Sequence, residues 1–400
     1  MNSSIPYGRQ NITKADIAAV VKVLESDWLT QGPTIPMFEE YVATACGASY
    51  GVAVNSATSA LHIACLALGL GKGDILWTSP NTFVASANCG LYCGAEVDFV
   101  DIDPHSYNLS VNALEQKLVQ AEGEGKLPKV VVPVHLAGQS CDMEKIGALS
   151  HKYGFRIVED ASHAIGAKYQ GSSVGNCQFS DMTVFSFHPV KIITTGEGGM
   201  VVTNQQDLYE KLIRLRTHGI TRNPDLMQGK SHGLWYYQQL DLGFNYRMTD
   251  IQAALGLSQM QRLDDFVSRR RFLAARYNQL LQDFPLVLPW QHPETESSWH
   301  LYVIRLKLDR IAKTHTQVFE ELRRAGIGVN LHYIPVHAQP YYQGLGFKWG
   351  DFPQAEQYYQ EAISLPLYYD LTEENQEQVG SVLRKILSEE GDHPNQGGVD

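Results

Sequence analysis

The sequence predicts an α/β protein: a mostly parallel, doubly wound sheet flanked by helices, followed by a smaller α+β domain. Three observations carry this expectation. The first half of the chain alternates short β-branched runs with stretches whose apolar residues recur at helical spacing, the pattern of strand–helix–strand crossovers. That alternation stops near Thr249, where a long helical stretch begins. And 400 residues with 44% hydrophobic content are more than one small domain needs. The expected division is a large domain over 1–249, a connecting helix and small domain over 250–388, and a tail over 389–400.

The elements follow in order. Tyr50–Val54 reads as the first strand, with a helix from about Thr58 to Leu68 that Gly69-Leu70-Gly71 stops. Ile75–Thr78 is the next strand, then a helix near Val84–Tyr92, then the strand Glu96–Val100. Lys129–Val134 follows, and Asp142 caps a helix whose apolar face is Met143, Ile146, Leu149 and Tyr153. Gly154 ends that helix, and Arg156–Glu159, Met182–Phe187 and Gly199–Thr203 complete the strands. Beyond Thr249, one helix is expected from Asp250 to Leu281, before Asp283-Phe284-Pro285. A strand (His300–Leu306), a helix (Thr316–Ala325), a strand (Gly328–His332) and a last helix (Asn375–Ser388) follow. Residues Glu389–Asp400 offer no apolar run and are expected to be disordered.

Composition narrows the function. With 32 Lys+Arg against 43 Asp+Glu the net charge is −11, a sign that repels phosphate backbones and anionic lipid. Nucleic acid and membrane are therefore not expected as partners. The start, MNSSIPYGRQ, lacks a basic stretch followed by an apolar one, and runs such as Val130–Val134 fall far short of the roughly 20 residues of a membrane span. Six cysteines without a CxxC pair read as free thiols in a reducing cytoplasm, and no histidine cluster has metal-ligand spacing.

Ligands in open α/β sheets sit at the carboxyl ends of strands. Tyr50–Val54 runs into Asn55-Ser56-Ala57-Thr58-Ser59, whose free N–H groups at a helix start can cradle a phosphate; alone, ordinary capping explains it. Arg156–Glu159 leads to Asp160, a carboxylate able to hold a cationic ring nitrogen or simply to cap. Met182–Phe187 leads to Lys191 among apolar residues and glycines, where desolvation lowers an amine's pKa and can make it a Schiff-base nucleophile; alone, a surface lysine in a loop explains it. Ser186 alternates with Val184 and can face the same ligand. A phosphate cradle, an aspartate for a pyridinium nitrogen and a lysine for an aldehyde form the set that pyridoxal 5'-phosphate (PLP) requires.

The segments NSATSALH, EDASHAIGA, FSFHPVKIITTGEGG and GFNYRMTDIQAALG resemble the DegT/StrS family of nucleotide-sugar aminotransferases, in order and from about Ile5 to Leu387. The resemblance implies an aspartate-aminotransferase-like fold (PLP fold type I). It implies that Lys191 is the Schiff-base lysine, that Asp160 pairs with the pyridine nitrogen, and that Phe83 stacks on the ring. Ala57, Thr58 and Ser186 match phosphate-contacting positions, and His163 a residue near the ring hydroxyl. Asn245 matches an asparagine that reaches the neighbouring subunit's phosphate, which implies a homodimer. Tyr7, His332, Tyr333 and His337 fall where the family places substrate contacts, with Tyr246 and Arg247 nearby. Ile192 stands where many relatives carry Asn or Pro, so no polar side-chain contact is expected there.

Within the family, LTQGP, WYYQQLDLGFNYRMTD, NLHYIPVHAQPYY and AISLPLY most resemble the transaminases of pseudaminic acid biosynthesis. The expected substrates are then L-glutamate and a UDP-4-keto-6-deoxy-N-acetylhexosamine, aminated at C4 in the cytoplasm. The rivals are an aminotransferase for another 4-keto or 3-keto sugar, and a non-enzymatic PLP-binding regulator. A dehydratase on the same fold would carry histidine in place of Lys191.

Overall fold

The computed structural model describes residues 4–388, so the expectation for the tail 389–400 lies outside the described residues. Its central sheet has seven strands: β1 (Tyr50–Val54), β2 (Ile75–Thr78), β3 (Glu96–Phe99), β4 (Val130–Val132), β5 (Arg156–Asp160), β6 (Met182–Ser186) and β7 (Gly199–Thr203). The spatial order is β1-β7-β6-β5-β4-β2-β3. Neighbours from β3 to β6 pair parallel, while β7 runs antiparallel to both β6 and β1. The connection into β7 contains no helix, so the chain returns alongside β6 instead of crossing over. The other six strands share one direction, which brings their carboxyl ends to one edge.

Both faces of this sheet are buried, and the period-2 alternation of each strand decides what goes where. Val52, Val54, Val130, Val132 and Val184 point to one side, where α3 (Ala57–Ala67), α4 (Ala85–Tyr92) and α7 (Gln206–Arg216) supply Leu61, Ile63, Cys89 and Leu212. The residues between them point the other way. Ala53, Phe185 and Val202 pack on Phe38 and Val42 of α2 (Thr34–Cys46), and Val131 and Ile157 pack on Leu118 of α5 (Val111–Glu124) and Ile146 of α6 (Met143–Tyr153). This is the expected sheet with helices on both faces.

After Thr249 come α8 (Asp250–Met260) and α9 (Leu263–Leu281). Then follows an antiparallel sheet of β8 (Leu286–Val287), β9 (Tyr302–Leu306) and β10 (Ala362–Leu365), with α10 (His315–Arg324), α11 (Pro353–Glu361) and α12 (Glu373–Ser388). A separate core of Leu273, Tyr277, Ile304, Val318, Leu322 and Leu383 holds this region and takes in Ile5 from the start of the chain.

Two expected elements differ. The single helix over 250–281 is broken at Arg262, which leaves helical geometry (φ −113°, ψ 13°) as its guanidinium reaches Asn11 and Asp16. The strand over 328–332 is reduced to a single bridge, Asn330 to Ser364, because Asn330 turns its side-chain oxygen onto the N–H of Leu331. All six cysteines are free; Cys65 and Cys89 lie 3.7 Å apart between α3 and α4.

The N-terminal helix α1 (Lys14–Leu24) is tied to this frame by one carboxylate. Asp16 is fully buried and accepts from Ser258 Oγ (2.7 Å), the Thr13 N–H (2.7 Å), Gln259 Nε2 (3.0 Å) and Arg262 Nη2 (2.9 Å). Burial pushes its pKa up, but the hydrogen bonds and the Arg262 charge outweigh it and hold the carboxyl below 3.8. A carboxyl lowered in this way adds stability that is present above its unfolded pKa and lost as pH falls through the folded one. Asp16→Asn is therefore expected to lower stability at pH 7 by about 1–3 kcal/mol. In denaturant melts from pH 7 to pH 2 the gap from the wild type should close below pH 3.8.

Candidate active site

A cleft of about 550 Å³ opens at the carboxyl ends of β1, β5 and β6, the three strand ends singled out from the sequence. Tyr7, Ala57, Thr58, Phe83, Asp160, His163, Ser186, Lys191, His332 and Tyr333 line it together. These residues are up to 326 positions apart (333 − 7), and only the sheet topology joins them.

Lys191 sits in the turn after β6, where its backbone N–H donates to His188 O (2.9 Å). Its amine makes no hydrogen bond or ion pair with any described residue. Burial lowers its pKa from 10.5 to about 8, against the opposing pull of the Asp160 carboxylate. At neutral pH a usable fraction of this amine is thus uncharged and nucleophilic.

Asp160 ends β5 with both oxygens fixed. Oδ2 accepts from Ser86 Oγ (2.6 Å) and Oδ1 from the Ser162 N–H (3.1 Å). Ser86 is itself oriented by Thr82 Oγ1, four residues earlier and just ahead of α4 (2.7 Å). The carboxylate keeps lone pairs free to meet a cationic ring N–H.

His163, three residues on, has a tautomer set by its neighbours. Nδ1 accepts from the Ala137 N–H (3.2 Å), so the proton lies on Nε2 and is donated to the Tyr333 hydroxyl (3.0 Å). Burial, then the charges of Lys191 and His332, hold His163 well below 6.5 and therefore neutral. Burial and Lys191 likewise bring His332 down to about 3. Tyr333 accepts from His163, which leaves its own O–H available to the cleft.

One end of the cleft is built from α3. Ser56 is its N-cap, accepting from the Ser59 N–H (3.2 Å), and Ala57 and Thr58 of its first turn line the cleft together with Ser186. Gly199 makes this close approach possible. A Cβ there would lie 2.6 Å from the Ala57 nitrogen and 2.6 Å from the Ser56 carbonyl carbon. A helix N-terminus beside a serine, an unpaired amine and a pre-oriented carboxylate are the donor set that pyridoxal phosphate needs, and the residues fit it.

The structure does not gather every expected residue. His337 is fully buried away from the cleft, bonded to Glu356 Oε1 (3.0 Å) and packed on Phe352. Tyr246 and Arg247 run beside the edge of β1, where Tyr246 meets His62 Nδ1 (3.2 Å) and the Arg247 backbone bridges Val54. Asn245 is exposed and does not line this chain's cleft. Conversely, Ser86, Ser162 and His300 belong to the site and were not expected. No sequence signal links Ser86 to an aspartate 74 positions away.

Comparison with known proteins places the chain in a family. Residues 10–384 match the model of the DegT/DnrJ/EryC1/StrS aminotransferase family. The chain is 39% identical over 389 residues to the spore coat polysaccharide biosynthesis protein SpsC of Bacillus subtilis, covering 96% of this chain and 98% of SpsC. It superposes on PseC of Helicobacter pylori, an aminotransferase involved in the biosynthesis of pseudoaminic acid, with a TM-score of 0.87 and 32% identity over 96% of this chain and 99% of PseC. Spr1654 of Streptococcus pneumoniae, solved in its PLP form, gives 0.85 at 29% identity, over 96% of this chain and 100% of Spr1654. This protein belongs to the DegT/DnrJ/EryC1/StrS aminotransferase family, whose enzymes use pyridoxal phosphate.

Proposed function

We propose that this enzyme transfers the amino group of L-glutamate to C4 of a UDP-4-keto-6-deoxy-N-acetylhexosamine, UDP-2-acetamido-2,6-dideoxy-β-L-arabino-hexos-4-ulose. The product is UDP-4-amino-4,6-dideoxy-N-acetyl-β-L-altrosamine, on the way to pseudaminic acid. The convergence of Lys191, Asp160 and the α3 N-terminus in one cleft carries the aminotransferase chemistry. The substrate reading rests on LTQGP, NLHYIPVHAQPYY and AISLPLY and on the likeness to PseC. The second reading is amination of another 4-keto or 3-keto nucleotide sugar, and the likeness to SpsC, a protein of spore coat polysaccharide biosynthesis, is compatible with it. The six free thiols support a cytoplasmic setting.

When bound, pyridoxal phosphate supplies the electron sink that stabilises a carbanion at the amino-bearing carbon. The protein supplies the rest. Lys191 Nζ is the amine that would hold the cofactor's aldehyde carbon and, once displaced by an incoming amine, carries the proton. Asp160 keeps the ring nitrogen protonated, and Ser86 and Ser162 hold Asp160 in place. The α3 N-terminus and Ser186 bind the phosphate, and Phe83, exposed on the cleft wall, offers its face to the ring. His332 and Tyr333, on the cleft wall, would meet the sugar.

We further propose a homodimer in which Asn245 reaches the neighbouring cleft. Its exposure, and the exposed Leu234, Trp235 and Leu242 in the preceding segment, support this, since a second copy would cover that apolar surface. Light scattering is expected to give twice 44.6 kDa; a monomer with full activity would overturn the arrangement.

Lys191→Ala is expected to lower amino-group exchange by about a thousandfold or more with the fold intact by circular dichroism. Wild-type turnover in that variant would end the assignment. The substrate test uses wild-type enzyme aminated with L-glutamate and freed of donor. Return of the visible spectrum of the resting enzyme with the C5-inverted UDP-4-keto sugar alone supports the altrosamine product; return with the non-inverted sugar supports the second reading. Uptake of pyridoxal phosphate by the apoprotein should speed up as pH rises through about 8, the value set for the Lys191 amine by burial against Asp160. Asp160→Asn removes the attraction that raises this pKa, so the midpoint should move to lower pH.

A further inference from the structure

His300 forms part of the inner cleft wall and is 4% exposed. Its ring packs on His163, with centroids 4.4 Å apart and planes tilted by 43°. Nδ1 is buried with no hydrogen-bond partner, and Nε2 makes no hydrogen bond with any described residue. Nδ1 of His337 is also unpartnered, but every other buried histidine has at least one ring nitrogen in a hydrogen bond. His62 meets Tyr246, His135 Glu159, His163 Tyr333, His332 Ser364 and His337 Glu356. A buried polar group left without a partner in a native fold calls for a reason, and one that lines a ligand cleft has an evident one.

The backbone carrying His300 is held firmly. Arg270 Nη1 donates to the carbonyls of Trp299 (3.2 Å), His300 (3.1 Å) and Leu367 (3.0 Å). Arg270 is 3% exposed, and only burial shifts its pKa, downward to about 10, with no carboxylate acting on it. Burying a guanidinium without a counter-ion is costly. Here it fixes the segment that presents His300, while the N–H of Leu367 donates to Tyr7 O (3.0 Å) and so ties in the facing wall. Ser298 Oγ donates to His163 O (3.0 Å), which couples the two histidines through the main chain as well.

We propose that His300 donates a ring N–H to an oxygen atom of the ligand held in the cleft, with Arg270 as the positioning residue that presents it. The oxygen belongs either to the cofactor ring or to the amino donor bound over it. The proposal rests on the assignment of this cleft to pyridoxal phosphate.

His300→Phe keeps a ring against His163 and removes both nitrogens; His300→Leu, smaller and equally without a donor, serves if Phe is not accommodated. Apoprotein melting, pyridoxal phosphate titration and titration of the loaded enzyme with L-glutamate are compared with the wild type. The apoprotein is expected to melt at or above the wild-type temperature, because an unpaired buried polar group has been removed. Binding is expected to weaken about tenfold, the worth of one lost hydrogen bond. If the oxygen is the cofactor's, pyridoxal phosphate affinity falls and the visible spectrum of the loaded enzyme shifts. If it is the donor's, both stay unchanged and glutamate affinity falls. His300→Gln, which keeps an N–H donor, should recover part of the loss in either case. A lowered apoprotein melting temperature with both affinities unchanged would assign His300 to packing and overturn the proposal. Wild-type protein that fails to take up pyridoxal phosphate would overturn the cleft assignment itself.

Discussion

The attraction between Asp160 and Lys191 is the constraint on which the site depends. Burial lowers the pKa of Lys191 and the Asp160 carboxylate raises it; their opposition leaves the amine near 8, partly uncharged at neutral pH. For that balance to hold, Asp160 has to stay where β5 ends. Ser86 and Ser162 grip its oxygens, and the backbone around it is anchored on the next strand connection, with the Asp160 N–H on Pro133 O and its carbonyl taking the His135 N–H. Directly behind, Glu159 points to the opposite face, where His135, Ser180 and Thr183 satisfy it. Two adjacent carboxylates thus serve opposite faces of one strand, one turned to the cleft and one closing a buried polar network.

The sheet order explains why the site lies where it does. Six strands deliver their carboxyl ends to one edge, and the reversed β7 begins at that edge with Gly199 instead of ending there. Absence of a side chain at this position lets the α3 N-terminus settle against the sheet, so that a phosphate can meet N–H groups at close range. The opposite wall comes from the C-terminal region. Arg270 on α9 gathers three carbonyls there, and the segments it holds carry His300 and adjoin Tyr7.

Local pattern was enough for the strands and most helices, because alternation and helical spacing record which face each residue buries. Lys191, Asp160, Ser186 and the Ser56–Thr58 turn were readable as strand-end chemistry, since a parallel sheet allows ligands at one edge only. His337 shows the opposite case. It follows the HYIP segment of the cleft, yet turns inward onto Glu356, a partner 19 residues later that no spacing rule connects to it. The break at Arg262 was equally hidden, because the pull comes from Asp16, 246 positions earlier.

The sequence by itself determined the sheet with its covering helices, the net negative charge and the three strand ends that converge on one cleft. These follow from short-range regularities: burial repeats every two or 3.6 residues, and helix starts need caps. Tertiary structure alone decided which histidines are neutral, that Ser86 holds Asp160, and that His300 is left without a partner beside the cleft. Each of those depends on contacts between segments tens to hundreds of residues apart, where hydrogen-bond geometry and burial arise only once the chain has folded.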